Sequence, residues 1–101
     1  MKYLKIPKND FYLMKILFFR QVKGKSMLPA LIPNKVILAS CLKRYKKGSL
    51  VIALVNGREI IKRVKKISQD FVWLTSDNPT DGWDSRHFGP VKREQILGTK
   101  L

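Results

Sequence analysis

The sequence predicts an all-β fold in one domain, and three observations predict it. From Leu31 onward the apolar residues fall in short runs of strand length cut by turns, not at helical spacing. Asn56-Gly57, the strongest hairpin signal in the chain, separates two of those runs. At 101 residues and 45% hydrophobic content, the chain can bury one modest core, and nothing in its length argues for a second domain. Residues 1–101 are therefore read as one unit, with an apolar and basic segment over 1–20 and the main body over 21–101.

Residues 1–20 mix Lys2, Lys5, Lys8 and Lys15 with the apolar stretches 11–14 and 16–19. The apolar run is about half of the ~20 residues that a spanning helix requires, and Lys15 and Arg20 interrupt it, so no membrane crossing is expected. It lacks the small-residue cleavage site of an export signal. A strand or helix packed on the domain is expected, with peripheral membrane contact through residues 11–20 as the alternative. Strands are then expected over 35–39 and 49–55, and over 58–67 across the Asn-Gly turn. Residues 71–75 form a fifth run, 76–90 are rich in turn residues, and a last strand is expected near 95–98.

The net charge of +14 would attract nucleic acid, anionic lipid or an acidic partner. The lysines are scattered, without aromatic platforms on a recognisable nucleic-acid module, so a solvated surface is the simpler reading and no nucleic-acid partner is expected. Cys41 is the single cysteine and His87 the single histidine, which excludes an intrachain disulfide and a clustered zinc site. A reducing, cytoplasmic setting fits, and no cofactor or metal is expected.

The chemistry centres on residues 22–31, Val-Lys-Gly-Lys-Ser-Met-Leu-Pro-Ala-Leu. A glycine two residues before a serine, with a proline soon after, turns the chain sharply and displays one hydroxyl. Gly24-Lys25-Ser26 does not end a phosphate-binding loop: Phe19 stands where that loop needs its first glycine, and Pro29 and Pro33 stand where it needs a helix. A plain turn serine is the bland reading. Farther on, strand alternation puts Lys62 on the same face as Ile60 and Val64, and Arg63 on the other with Ile61 and Lys65. A lysine on an apolar face loses hydration of its charged form, so its pKa falls and it can serve as a base near neutral pH. The bland alternative is a lysine that snorkels past an apolar patch.

Residues 24–31 resemble the serine box of the signal peptidase I type enzymes, and residues 61–64 (Ile-Lys-Arg-Val) resemble their lysine box. Residues 76–79 (Ser-Asp-Asn-Pro) with 84–91 (Asp-Ser-Arg-His-Phe-Gly-Pro-Val) resemble their C-terminal box. The resemblance covers about residues 20 to 101. Its wording is most similar to the small maturation peptidases associated with nickel-containing superoxide dismutase. It implies the folded sheet shared by signal peptidases and the C-terminal domains of SOS repressors, reduced to its catalytic core. Only thirteen residues separate Lys62 from Ser76, too few for the extra β domain of larger export peptidases.

The resemblance further implies a serine-lysine dyad, with Ser26 as nucleophile and Lys62 as general base. Backbone N–H groups at the Ser26 turn would hold the oxyanion; a hydroxyl two residues earlier helps in some relatives, but Gly24 has none. Met27 and Pro29 belong to the same box. Asp84 and Arg86 would form an ion pair framing the site, and Asp77 and Asn78 would shape the turn that carries it. Carboxylates paired for acid-base work are the rival reading of Asp77, Asp81 and Asp84. Gly82 departs from the pattern, because relatives usually have a serine there that orients the lysine. Asn34-Lys35 after Pro33 and Gly48-Ser49 depart from Pro-Gly-Asp and Gly-Asp turns.

The function expected is removal of an N-terminal propeptide, bound as an extended strand, from a precursor such as that of a nickel superoxide dismutase. The rivals are a small signal peptidase at a membrane surface and a catalytically weak basic binding module. A self-cleaving repressor fits less well, since the twenty residues before the serine box are too few for a DNA-binding domain.

Overall fold

The computed structural model describes residues 16–101. The expected contribution of residues 1–15, including half of the proposed membrane contact over 11–20, lies outside them. Among the described residues seven strands form one sheet: β1 (Leu17–Gln21), β2 (Val36–Ser40), β3 (Leu50–Val55), β4 (Arg58–Ile67), β5 (Phe71–Thr75), β6 (Val91–Lys92) and β7 (Ile96–Lys100). Their order is β1-β2-β7-β3-β4-β5-β6, with every pair antiparallel. The all-β expectation holds. Within the turn-rich 76–90 stretch, one helical turn, α1 (Ser85–Phe88), was not anticipated, nor was the two-residue strand β6 that follows it.

Each strand follows from its residues. β3 is a continuous β-branched and aliphatic run and is buried on both faces: Val51, Ala53 and Val55 join one core cluster, while Ile52 joins the other. The first cluster continues through Val64, Val72, Leu74 and Val91, the second through Val22, Met27, Leu31, Ile37 and Ala39. Asn56 and Gly57 both take positive φ, 51° and 76°, which gives the twist that a two-residue hairpin needs to join β3 to β4. Asn34 has φ 71°, a conformation that asparagine tolerates better than most residues.

The placement of β7 brings the two halves of the site together. The C-terminal strand inserts between β2 and β3, so the β1–β2 pair is joined to the β3–β4 hairpin although the two are separate in sequence. Ser26 rides on the loop between β1 and β2, and Lys62 on β4. β4 is longer than its neighbours. It pairs with β3 over Arg58–Arg63 and with β5 only from Arg63 onward, so one edge of its first half is not covered by β5.

Candidate active site

The serine turn is anchored from beneath. Gly24 has φ 74°, a left-handed conformation that a side chain would disfavour, and it turns the chain out of β1. Met27, one residue past the serine, is 1% exposed and packs with Val22, Leu31 and Ile52. Burial of a methionine side chain stabilises by about 2 kcal/mol, which fixes the turn and leaves Ser26 half-buried at its crest. Leu28 N–H donates to Lys25 O and Leu31 N–H to Met27 O, while Pro29, exposed, follows Leu28 through a cis peptide bond.

Lys62 reaches this turn from β4. Ile60 is half-buried, Lys62 is 5% exposed and Val64 is 1% exposed, so the lysine stem runs along the apolar face that alternation assigns to it. Its amine donates to Ser26 Oγ at 2.7 Å. Desolvation by burial holds the Lys62 pKa below the usual lysine range, and the negative charges of Asp84 and Asp81 pull it part of the way back. The result is an amine whose neutral form is populated at lower pH than that of a surface lysine, in contact with the one hydroxyl the turn displays.

The 76–90 loop closes the site, and several of its polar residues have definite partners. Asn78 clamps the serine turn: its backbone N–H donates to Ser26 O at 2.8 Å and its side-chain amide to Lys25 O at 3.2 Å. Thr80 in turn donates to Asn78 Oδ1 through both its N–H and its hydroxyl. Asp77 accepts two bonds from Arg63, at 2.8 and 2.7 Å, and Arg63 also donates to Gly48 O. Arg63 was missed from the sequence as a site residue; its place next to Lys62 in the lysine box was the available signal.

Asp84 is fully buried. Burial alone would push its carboxyl up, but hydrogen bonds from the Arg86 side chain and from the N–H groups of Ser76 and Arg86 outweigh it and bring the pKa down to about 2. It caps α1, and Ser85 Oγ accepts from Leu74 N–H to tie that turn to β5. His87 Nδ1 accepts from the Asp84 backbone N–H, so the single histidine is engaged in helix capping. Asp77 and Asp84 are both tied to arginines and serve structural ion pairs, while Asp81 lines the cleft. Among the described residues no cluster of acidic, cysteine or histidine side chains could hold a metal ion.

At Gly82 the reason for glycine is space. Its backbone is outside the left-handed region, but a Cβ there would fall 2.0 Å from Ser76 Oγ and 2.5 Å from Ser76 Cβ. The same point lies 3.5 Å from Ser26 Cβ.

In front of Ser26 and Lys62 lies an open cleft of about 490 Å³. One wall is the chain from Arg20 to Met27, the other the first half of β4, and Asp81, Gly82 and Trp83 close one end. Arg20 and Glu59 pair across it, and the Arg58 guanidinium lies 5.3 Å from the centre of the Trp83 ring.

Among the described residues no helix is long and apolar enough to cross a membrane. No curated protein matches the chain closely enough to be counted a relative. The family model described as Peptidase S24-like matches residues 1–100, nearly the whole sequence. A match of that extent shows the family: this chain, whose half-buried turn serine meets a buried lysine beside an open cleft, belongs to the Peptidase S24-like family of serine peptidases.

Proposed function

We propose that this protein is a serine-lysine dyad endopeptidase that removes an N-terminal propeptide from a precursor protein in the cytoplasm, by resemblance the precursor of a nickel superoxide dismutase. The observation that carries the reading is the 2.7 Å contact between Lys62 Nζ and Ser26 Oγ, made by a lysine whose burial lowers its pKa. Neutral Lys62 takes the Ser26 proton as Oγ attacks the scissile carbonyl carbon. The resulting ammonium then protonates the departing amine, leaving an acyl-enzyme. A water molecule deprotonated by Lys62 attacks the ester, and the proton returns to Ser26 as the acid product leaves.

Two features support the binding mode. The first half of β4 offers an edge that β5 does not cover, so an extended peptide can add as a strand between β4 and residues 20–25, with its carbonyl over Ser26. The backbone N–H groups at the Ser26 turn face developing negative charge in that pose and serve as the oxyanion hole. Met27 and Asn78 hold the turn, and Asp77, Asp84 and Arg86 hold the loop against it. A cytoplasmic setting agrees with the single, exposed Cys41.

Co-expression of the nickel superoxide dismutase precursor with this protein, followed by N-terminal sequencing, tests the substrate. A shortened N-terminus that depends on Ser26 is expected. An uncut precursor, with efficient cleavage of secretory signal peptides in membranes, would transfer the activity to a small export peptidase.

A further inference from the structure

Ser76 Oγ is a buried polar atom with no hydrogen-bond partner, the only such side-chain atom among the described residues. The residue is 7% exposed, and its backbone N–H is fixed by the buried Asp84 carboxylate at 2.9 Å. Leaving a hydroxyl unpaired in the interior costs about 1–3 kcal/mol, so an orphan of this kind calls for a reason. Its location supplies one. It fills the space that the absent side chain of Gly82 leaves open, next to Ser26. The Lys62 amine, on the same Ser26, has Ser26 Oγ as its one hydrogen-bond partner among the described residues. An amine with one partner and a hydroxyl with none therefore flank the same nucleophile.

We propose that the Ser76 hydroxyl positions the Lys62 amine against Ser26, and that Ser76 and Gly82 act as a matched pair in which one residue carries the hydroxyl and the other gives it room. A lysine has four rotatable side-chain bonds, and a second hydrogen bond selects the rotamer that aims its lone pair at the serine proton. In this role Ser76 Oγ accepts an N–H of the amine while the lone pair faces Ser26. Ser76 is thus a positioning residue that acts through Lys62. The inference rests on the dyad reading of the site.

The charged groups around Lys62 are Asp84 and Asp81, with Lys23, Lys25, Arg58 and the paired Arg20 and Glu59 lining the same cleft. None changes when Ser76 does, so a shift in Lys62 titration caused by Ser76→Ala reports the hydroxyl itself. An acceptor favours the ammonium, and its removal lowers the pH at which Lys62 titrates.

The test follows the Lys62 side chain of the full chain by NMR titration, its resonance assigned with Lys62→Ala, alongside single-turnover cleavage of the co-expressed precursor. Ser76→Ala is expected to move the Lys62 midpoint down by about half a pH unit or more and to slow cleavage about tenfold. Its melting temperature should fall only slightly, by no more than the loss of one hydrogen bond accounts for. Gly82→Ser alone should lose activity through the clash with Ser76. The exchange Ser76→Gly with Gly82→Ser should restore both the midpoint and the rate to within about threefold of wild type, since it returns one hydroxyl to the same space. A Lys62 midpoint indifferent to Ser76→Ala, with Lys62→Ala inactive, discards the role of Ser76 and leaves the dyad standing. Cleavage that survives Lys62→Ala discards the dyad itself.

Discussion

The β3–β4 hairpin and the 76–90 loop form two sides of one site, and they hold their residues by different physics. In the hairpin, direction follows from regularity: Lys62 pairs with Val51, and strand alternation decides which face its stem runs along. Few specific contacts are needed beyond the ladder and the apolar core. The loop has no such periodicity, so polar contacts fix it one residue at a time. Asp77 is held by Arg63, Asn78 by the serine turn, and Asp84 by Arg86 and the Ser76 N–H. A hairpin should therefore tolerate side-chain changes that leave its pattern intact, whereas the loop should respond to the loss of single polar groups.

The largest effect is expected where the two regions meet. Ser26→Ala and Lys62→Ala should each lower the cleavage rate about 10³-fold or more, with the double variant no slower than either, because groups that act as one unit are not additive. Wild-type activity should rise with pH as Lys62 loses its proton, and the rise should come below the usual lysine pKa of 10.5. Measured pH profiles of kcat/KM check this.

Within the loop, Asp84→Asn should cost about 2 kcal/mol at neutral pH, read from urea unfolding. The folded pKa of about 2 lies below the ordinary 3.8, so the stabilisation is complete above pH 3.8 and is lost as pH falls through about 2. The difference between wild type and variant should accordingly close in strong acid. Asn78→Ala removes the clamp on Lys25 O and the acceptor for Thr80, and should lower kcat about tenfold with a smaller loss of stability, about 1 kcal/mol.

On the hairpin side the sign reverses. Lys62 has a lowered folded pKa, so its contribution to stability is unfavourable below that value and the penalty fades as pH rises toward 10.5. Lys62→Met, which keeps the stem and removes the amine, should raise stability at pH 7 by about 1 kcal/mol while abolishing cleavage, and the gain should shrink toward pH 10. Lys65→Ala, exposed on the other face of the same strand, should change neither rate nor stability measurably.

The sequence by itself determined every strand from residue 35 onward except the two-residue β6 to within a residue or two, together with the Asn56-Gly57 hairpin and the face on which Lys62 lies. These rest on local rules, alternation and turn chemistry, which act over a few residues. Family resemblance brought Ser26 and Lys62 together as candidates, and the Peptidase S24-like match agrees with the serine-peptidase class. Tertiary structure alone decided that β7 inserts between β2 and β3, that Arg63 holds Asp77, and that Gly82 is small because Ser76 occupies its space. Each of these depends on groups that the chain carries far apart or on volume shared between two residues, and neither leaves a periodic or compositional trace in the sequence.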